Sequence, residues 1–433
     1  VRILAPQPTM KNFLDKIFFR SNNLDYVSKN LKNLTKNTPV LEIFNAINSH
    51  SLDSEIRYVG GCVRKIINKE KVDDIDLATN LEPQNVCEAL KKKNINFYET
   101  GIEHGTITAV IENYKFEITS LREDISTDGR HAKVKFSKDW KKDASRRDFT
   151  INSIYSDMNG NLFDPYDGKK DLNDGLIKFI GEANIRLKED YLRMLRYIRF
   201  FLNYSKNTHD PEVIKKLKIN IGGVAKLSKD RLLDELRKIF KFNTLEKLSK
   251  DKISLELIQM IFPEIKDVKI FSKLNLDDRE ILKKNDFIFL LSLMIIDDAD
   301  NADYFIYKFN ISKKDEKRIK IIDNFYKEKI NMKVYSEGNL NKIFYFDGRQ
   351  AVLDILNYRI IKSKKMEKSL LDLAKYYEKR TVPKMPLGAD LLMKKYKIPE
   401  GKQLGVKLKM IETEWVKNNF EISDQSVDNI INN

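Results

Sequence analysis

The pattern of hydrophobic and polar positions divides the chain into an amino-terminal part of mixed character and a long helical remainder. Up to about residue 165, short apolar runs that alternate with polar residues stand between helical segments. From about residue 170 onward, apolar residues recur three and four positions apart, and signals typical of strands almost vanish. The pattern therefore predicts an α+β fold, in which a mixed sheet with helices is followed by helical domains.

The amino-terminal part is predicted to begin with two amphipathic helices, over residues 12–19 and 39–48. A third helix is predicted over residues 83–93, because proline is well accommodated in a first helical turn. Residues 106–111 and 115–121 alternate with a period of two, which predicts a β-hairpin. The hairpin gives the predicted sheet two of its strands.

Residues 58–79 carry the densest pattern of chemically useful side chains. A short strand meets a break at Gly60 and Gly61, a helix follows, and a second strand runs through Asp74 and Asp76. Paired glycines allow the backbone to approach a phosphate closely. The two aspartates are two residues apart, so they project from one face of a strand, where carboxylates suit Mg²⁺. This combination indicates phosphoryl or nucleotidyl transfer, and the alternative is an exposed acidic strand end beside an ordinary turn.

Three further features could belong to the same site. Glu117 lies within a predicted strand and would complete a carboxylate cluster if that strand neighbours the aspartates; otherwise it is a solvated residue. Residues 122–146 form a long polar connection, predicted to be a functional loop. Arg146 and Arg147 could neutralise triphosphate charge, although a lone pair of arginines is more often a surface feature.

A strong helix is predicted over residues 189–200, with Asp190 and Arg193 as neighbours on one face. Cytosine and adenine each present an amino donor beside a ring-nitrogen acceptor, whereas uracil and guanine present a carbonyl beside a ring N–H. An Asp acceptor next to an Arg donor therefore fits C and A and rejects U and G. The alternative is an ordinary ion pair within the helix. Steps of three residues drift by about 60° around a helix, which ranks Arg199 below Arg196 as a partner of Asp190.

Composition narrows the class of protein. The chain has 433 residues, of which 42% are hydrophobic and 33% charged, as expected of a folded, soluble protein with several domains. Its formal net charge of +15 favours a polyanionic partner. The longest apolar run, residues 287–296, is too short to span a bilayer, so no membrane partner is expected. Cys62 and Cys87 are the only cysteines, which indicates a reducing compartment and predicts a cytoplasmic location.

Several motifs taken together resemble those of a known enzyme family. In chain order they are GGCVR, DIDLAT, RRDFTINS and EDYLRMLRYIRF, with LSKDRLLDELRKIF following at residues 227–240. In this order and spacing they resemble the class II tRNA nucleotidyltransferases, which add CCA to tRNA 3′ ends. That family shares a polymerase-β-like head with bacterial poly(A) polymerases. Four ordered motifs are far more specific than any one of them.

The resemblance implies a site and a reaction. Asp74 and Asp76 would hold Mg²⁺, with two ions expected, and Glu117 occupies a family glutamate position beside them. C and A nucleotides would pass from CTP and ATP to the 3′ end of tRNA without a template, and pyrophosphate would be released. The loop predicted over residues 122–146 is a candidate for resetting the pocket between C and A addition. Beside Gly60, the residues implied to contact the nucleotide are Gly61, Arg64, Arg147, Asp190, Arg193, Arg196 and Arg199.

The resemblance also implies a division into five parts. A helical extension, a catalytic head, a helical neck that selects the base, a body and a tRNA-binding tail are expected over residues 1–50, 51–165, 166–245, 246–330 and 331–433. Within the tail, residues 388–392 and 398–405 are similar to the family's tRNA-binding segment. Helices are predicted beyond the neck motif over residues 228–240, 254–262, 285–296, 313–327 and 349–360, with a broken connection over 265–282.

One residue departs from the family's motif, and several alternative functions remain open. The family usually has Asp where this chain has Lys65, which weakens a local contact but leaves the two metal-binding aspartates intact. A poly(A) polymerase, a specialist that adds only CC or only A, or a non-catalytic RNA-binding protein could share the fold. Residues 101–106, GIEHGT, resemble the tRNA enzymes rather than the poly(A) polymerases. With four histidines, a His-rich phosphohydrolase site is not expected, and the oligomeric state stays open.

Overall fold

A computed structural model of the chain describes residues 26–128, 131–328, 335–363 and 368–432. The chain divides into two units, of which the first ends at Ser228 and the second begins at Lys229. The predicted helix over residues 12–19 lies outside the described residues. The division into five parts stays a prediction.

The first unit holds nine strands among its described residues. In chain order they are β1 (Ile56–Val59), β2 (Ile75–Thr79), β3 (Asn96–Gly101), β4 (Thr106–Ile111), β5 (Tyr114–Ser120), β6 (Arg122–Asp128), β7 (His131–Phe136), β8 (Tyr155–Ser156) and β9 (Leu162–Phe163). Seven of them form one sheet in the order β3-β4-β5-β2-β1-β8-β9, and β6 pairs with β7. Within the larger sheet only β2 and β5 run parallel, so the sheet is mixed, as predicted.

Helices and short 3₁₀ segments connect these strands and complete the first unit. The helices are α1 (26–37), α2 (Val40–Asn48), α3 (Gly61–Ile67), α4 (Pro83–Lys92), α5 (Trp140–Ser145), α6 (Gly168–Asp174), α7 (Ala183–Glu189), α8 (Arg193–Tyr204) and α9 (Pro211–Asn220). The 3₁₀ segments are Ile102–His104, Thr150–Asn152 and Ile221–Lys226. The helices predicted over residues 39–48 and 83–93 are confirmed by α2 and α4.

The predicted hairpin is formed by β4 and β5. Glu112 in its turn has φ 53°, a left-handed conformation that is compatible with a tight reversal. Along β5, Phe116 and Ile118 are buried whereas Glu117 between them is exposed. Since side chains alternate along a strand, burying the two apolar residues directs Glu117 to the opposite face.

Residues 122–146 do not form the irregular loop that their composition predicts. They contain β6 and β7, which pair antiparallel with Arg122 opposite Phe136, and then α5. Asp139 caps α5 by accepting backbone hydrogen bonds. The prediction is wrong because strand pairing is held by backbone hydrogen bonds, which a polar and charged sequence can form without a periodic apolar face.

The second unit is helical throughout its described residues. Its helices are α10 (Lys229–Ile239), α11 (Phe242–Leu248), α12 (Lys252–Ile261), α13 (Leu276–Lys284), α14 (Phe287–Ile295), α15 (Asn301–Phe309), α16 (Lys313–Lys327), α17 (Glu337–Phe346), α18 (Arg349–Lys362), α19 (Lys368–Lys379), α20 (Ala389–Tyr396), α21 (Lys402–Lys417) and α22 (Asp424–Asn432). The five predicted helices are confirmed by α10, α12, α14, α16 and α18. Residues 265–282 are more helical than predicted, because they hold the 3₁₀ segment Val268–Ser272 and most of α13.

Buried polar groups tie the helices of the second unit together. Arg318 on α16 donates to the carboxylates of Asp286 and Asp354, which belong to the start of α14 and to α18. Asp354 is fully buried, so its charge depends on this guanidinium. Across the described ranges of both units, no helix combines the length and the apolar character needed to cross a membrane.

Candidate active site

Gly60 and Gly61 form the turn between β1 and α3. Gly60 has φ 67° and ψ −115°, a conformation that residues with a Cβ atom rarely adopt. Its amide donates to the carbonyl of Ile154 at 3.2 Å. A Cβ atom on Gly61 would lie 3.9 Å from Oδ2 of Asp76. The glycine pair therefore brings the backbone close to the Asp76 carboxylate.

Asp76 and Glu117 stand side by side on neighbouring strands. They are paired in register in the parallel ladder between β2 and β5, so their side chains emerge on the same face of the sheet. Asp74 is exposed and lies directly before β2 rather than inside it. Among the described residues no three His, Cys, Asp or Glu side chains converge into a metal-binding group. The metal-binding roles of these acids therefore stay predictions.

The electrostatics of Asp76 fit a bound cation. Burial raises the pKa of its carboxyl group, and the negative charge of Glu117 raises it further, while Arg147 and Arg64 oppose both effects. A divalent cation with a preference for oxygen ligands would remove this repulsion. The donor set on this face of the sheet is therefore compatible with Mg²⁺.

Arg147 is held beside the glycine turn by a buried acid. Its Nη2 donates to Oδ2 of Asp143 at 3.1 Å, and its Nε donates to the Tyr155 hydroxyl at 3.0 Å. Its Nη1 would lie 3.6 Å from a Cβ atom on Gly60. Burial alone would raise the pKa of Asp143, but the charges of Arg147 and Arg146 outweigh it and lower that pKa. The Arg147 guanidinium is therefore fixed near the glycine turn, where a phosphate is predicted to approach the backbone.

Asp143 is not part of any motif in the sequence. Its only signal is its spacing, three residues before Arg146 and four before Arg147 at the end of the short helix α5. Its side chain is 1% exposed, so its charge is satisfied entirely within the protein.

A chain of polar contacts links the glycine turn to α8. The buried guanidinium of Arg64 donates to Oδ1 of Asn152, and the Asn152 amide donates to Oδ1 of Asp148 at 2.8 Å. Asp148 in turn forms an ion pair with Arg196, at 2.8 Å between Oδ2 and Nε. Burial opposes ionisation of Asp148, but the charge of Arg196 prevails and lowers its pKa. Asp148 and Asn152 lie within the RRDFTINS motif, which offers the sequence signal for this connection.

Asp190 does not lie inside a continuous helix, so the helix predicted over residues 189–200 is confirmed only from Arg193 onward. α7 ends at Glu189 and α8 begins at Arg193, and between them Asp190 is extended, with φ −153° and ψ 106°. The Asp190 carboxylate accepts the backbone amide of Leu192 at 3.1 Å. Short polar side chains compete with helix formation by binding nearby amides in this way, which explains the break.

Arg193 is anchored at the start of α8. Its Nη1 donates to the carboxylate of Glu189 and, at 2.9 Å, to the carbonyl of Arg186, and its Nη2 donates to the carbonyl of Arg146 at 3.3 Å. Its backbone amide donates to the carbonyl of Asp190 at 3.1 Å. The two predicted base-reading residues are therefore neighbours across a turn rather than along one helix face.

Phe200 gathers three of the predicted nucleotide-binding arginines. The guanidinium carbon of Arg199 lies 4.2 Å from its ring centroid, that of Arg64 lies at 4.8 Å and that of Arg196 at 5.9 Å. The ranking of Arg199 below Arg196 assumed one helix that includes Asp190. Because the helix begins only at Arg193, the drift of side chains around it does not separate Arg199 from Asp190 in the predicted way.

Comparison with known proteins gives consistent results along most of the chain. Residues 56–178 match the family described as poly(A) polymerase head domain. The human mitochondrial CCA tRNA nucleotidyltransferase 1 is 32% identical over 385 residues, covering 85% of this chain and 84% of the relative. A CCA-adding enzyme of Staphylococcus haemolyticus is 30% identical over 323 residues, covering 73% of this chain and 75% of the relative.

Solved structures share the fold. The crystal structure of the Bacillus stearothermophilus CCA-adding enzyme in complex with CTP aligns with a TM-score of 0.64 at 19% identity, covering 91% of this chain and 97% of that one. The Thermotoga maritima CCA-adding enzyme complexed with tRNA aligns with a TM-score of 0.55 at 17% identity, covering 91% and 94%. The predicted α+β fold, with a sheet-containing head followed by helices, is confirmed.

Proposed function

The chain belongs to the CCA-adding family of tRNA nucleotidyltransferases, and from that premise we propose that it adds C and A nucleotides to the 3′ end of tRNA. The donors are CTP and ATP, pyrophosphate is released, and no template is used. The observation that carries the proposal at the site is the register of Asp76 beside Glu117, next to the turn at Gly60 and Gly61. Nucleotidyl transfer requires acidic oxygens and a close backbone approach to a triphosphate in one place.

Asp74 and Asp76 are the residues proposed to hold two Mg²⁺ ions. Bound Mg²⁺ supplies the means to orient the triphosphate and to lower the pKa of the attacking 3′-hydroxyl of the RNA. The raised pKa of Asp76 supports its assignment, because a carboxylate that is destabilised by neighbouring negative charge is strongly stabilised by a bound cation. Glu117 is the neighbouring acid whose charge destabilises the Asp76 carboxylate.

Arg147 is proposed to counter the charge of the triphosphate and of departing pyrophosphate. Its hydrogen bonds to Asp143 and Tyr155 fix the guanidinium before substrate arrives, so little reorganisation is needed during the reaction. The backbone at Gly60 and Gly61 would contact the phosphates from the other side, where no Cβ atom obstructs the approach.

Asp190 and Arg193 are proposed to choose the base. The Asp190 carboxylate would accept from the amino group of C or A, and the Arg193 guanidinium would donate to the adjacent ring nitrogen. Arg64, Arg196 and Arg199 are proposed as further nucleotide contacts, supported by their shared position around Phe200. One pair of side chains would thus accept two bases and reject the other two.

The experiment that tests the function presents tRNAs ending before, within and just short of CCA, with each nucleotide triphosphate singly and then together. We expect C, C and A to be added in turn from CTP and ATP alone. CC without A would identify a CC-adding specialist, A on a CC-ending tRNA alone would identify an A-adding specialist, and long A tracts would identify a poly(A) polymerase.

The matched control is the Asp74→Ala variant, which removes one proposed metal ligand at an exposed position. Equal product from this variant and the natural chain would contradict the assignment of the metal site. No product from either, with tRNA binding retained, would favour a non-catalytic RNA-binding protein. The cytoplasmic location stays a prediction, since the human relative is named as mitochondrial.

A further inference from the structure

The aromatic ring of Tyr191 lies directly against the backbone of Gly223, in the 3₁₀ segment Ile221–Lys226. A Cβ atom on Gly223 would lie 2.0 Å from Cε1 of Tyr191 and 2.3 Å from its Cδ1 and Cζ. Side-chain atoms do not approach one another this closely, so any larger residue at position 223 would displace the ring. We propose that the contact between Tyr191 and Gly223 positions Asp190 and thereby determines how strictly the enzyme selects its base.

Tyr191 occupies the middle of the three-residue turn between α7 and α8. Asp190 precedes it in an extended conformation, and Leu192 follows it and donates its amide to Oδ1 of Asp190 at 3.1 Å. This hydrogen bond spans Tyr191, so a shift of the Tyr191 backbone changes the direction of the Asp190 carboxylate. A displacement of about 1 Å can cost a positioned group on the order of a hundredfold in rate.

The helix α9, which leads directly into the 3₁₀ segment, is tied to α7 by contacts that do not involve Tyr191, although Lys226 in the segment lies 5.9 Å from the Tyr191 ring centroid. Just before the segment, the buried Asn220 donates to Oδ1 of Asn184 on α7 at 2.8 Å. Lys216 on α9 forms an ion pair with Glu182, the capping residue of α7, at 3.4 Å. Because these contacts hold α9 against α7, a side chain added at Gly223 would move Tyr191 rather than its own backbone.

This inference rests on the proposed role of Asp190 in reading the base. Tyr191 and Gly223 are therefore positioning residues, which act through Asp190. The chain offers a matched control, since Gly222 is in the same 3₁₀ segment but has no atom within 4 Å of its Cβ position. Gly223→Ala and Gly222→Ala make the same chemical change, and only the first meets the ring.

The experiment compares kcat/KM for CTP with kcat/KM for UTP on a tRNA that lacks CCA, using the full chain. We expect Gly223→Ala and Tyr191→Ala to reduce this ratio by about tenfold, because a displaced Asp190 carboxylate no longer accepts a hydrogen bond from the amino group of cytosine. Gly222→Ala and Tyr191→Phe should keep the ratio within about twofold, since both preserve the packing of the ring. The double variant Tyr191→Ala with Gly223→Ala should match Tyr191→Ala alone, because the added methyl group then meets no ring.

A second measurement separates positioning from general stability. Hydrogen exchange at the Leu192 amide should become faster in Gly223→Ala but not in Gly222→Ala, since only the first disturbs the bond to Asp190. If Gly223→Ala fails to fold, the positioning role is tested by comparing the selectivity for CTP over UTP of Tyr191→Ala with that of Tyr191→Phe. Equal selectivity of those two variants, or of the two glycine variants, would overturn the inference.

The Asp190→Ala variant distinguishes this inference from the proposed function. If Asp190→Ala keeps the natural selectivity, the base-reading role itself is wrong, and the inference falls with it. If Asp190→Ala loses selectivity while Gly223→Ala behaves like Gly222→Ala, only the positioning role is wrong.

Discussion

The strand pair β2 and β5, which carries Asp76 and Glu117, and the turn that carries Asp190 belong to one unit, yet different contacts hold them in place. In the strand pair, β2 and β5 are in register over five residues, and the alternation of β5 sets Glu117 beside Asp76. At the turn, Asp190 is extended between two helices, beside a tyrosine that packs on Gly223. Both arrangements join residues more than thirty positions apart in the sequence, but a backbone ladder holds the strand pair, whereas one aromatic ring packed on a glycine supports the turn.

The comparison indicates different tolerances. The strand pair is supported by a ladder of backbone hydrogen bonds, so an altered carboxylate should change the chemistry and leave the fold intact. The turn is supported by a few side-chain contacts, so changes around it should alter selectivity more than rate. The predictions below test the strand pair through Asp76 and Lys65, and they extend the comparison to the buried Asp143 and to the ribbon of β6 and β7.

The largest effect is expected in the strand pair of β2 and β5, from Asp76→Asn. We expect kcat for CTP addition to fall by on the order of 10³, because a proposed metal ligand loses its charge. Stability should not fall in metal-free buffer. The pKa of Asp76 is raised in the folded protein, so the ionised carboxylate destabilises the fold at pH values above the ordinary pKa of aspartate. Asparagine carries no charge and therefore removes this cost.

Single-turnover addition and thermal unfolding in the presence of a chelator measure the two parts of this prediction. Glu117→Gln is the control, because it keeps both aspartates and should lose less activity. A large loss of stability in Asp76→Asn would show that the fold of the strand pair depends on this carboxylate, against what the backbone ladder indicates.

The features that the sequence predicts correctly are those fixed by local spacing. The hairpin of β4 and β5 follows from period-two alternation, and the helices of the second unit follow from apolar residues three and four apart. The break at Asp190 could not be predicted in this way, because residues 189–200 keep a helical apolar pattern across it. What ends the helix there is a side chain binding the Leu192 amide, and propensity alone does not decide between these states.

Buried charge is the second feature that local pattern does not reveal. Asp143 is one of five acids in the polar stretch 122–146, and its importance depends on α5 packing it beneath Arg147 and Tyr155. Similarly, this stretch has the composition of a loop but contains the paired strands β6 and β7 and then α5, because backbone hydrogen bonds suffice to pair the strands. In both cases the decisive partners are supplied by the tertiary structure.

The next largest effect is expected from Asp143→Asn. We expect the free energy of unfolding near neutral pH to fall by about 3 kcal/mol, since Arg146 and Arg147 would lose a buried charged partner. The pKa of Asp143 is lowered, so its stabilisation is present above the ordinary aspartate value and is lost as pH falls through the lowered pKa. The difference between the two proteins should therefore narrow in acid.

Urea unfolding at about pH 7 and about pH 3 measures this change. Asp139→Asn is the control, because Asn caps a helix about as well as Asp and the residue is exposed. An unchanged gap between Asp143→Asn and the natural chain at the two pH values would contradict the assigned ion network.

A smaller and more selective effect is expected from shortening the ribbon of β6 and β7. The amide of Ser137 donates to the carbonyl of Leu121 at 2.8 Å, so the ends of the ribbon are already joined and a short turn can replace its outer part. We expect CC addition to continue and the final A to slow by about tenfold, if the ribbon resets the pocket. Equal rates for both steps would show that the ribbon plays no part in the switch.

Product lengths from a time course with CTP and ATP measure this effect. Lys142→Ala is the control, since it removes only the solvent-exposed ion pair with Glu123 at the ribbon. It should leave both steps near their natural rates, because solvent screens an exposed ion pair and it contributes little.

The smallest effect is expected at Lys65, which stands where the resemblance leads one to expect an acid. Lys65 forms an ion pair with Asp73 at 2.9 Å, directly before Asp74. Lys65→Asp would therefore set a new carboxylate against Asp73 and close to a proposed metal ligand. Because the Asp73 side chain is 60% exposed, we expect a loss of about 0.5 kcal/mol in the free energy of unfolding and a several-fold rise in the Mg²⁺ concentration needed for half-maximal activity.

The double variant Lys65→Asp with Asp73→Lys reverses the ion pair and is expected to recover both properties. Mg²⁺ titrations of CTP addition and thermal unfolding of all three variants give the comparison, with Asp73→Lys as the remaining single change. If Lys65→Asp alone matches the natural chain in its Mg²⁺ dependence, the pair has no influence on the neighbouring Asp74. The strand pair would then tolerate a reversed charge beside Asp73, which lies two positions before the start of the ladder at Ile75.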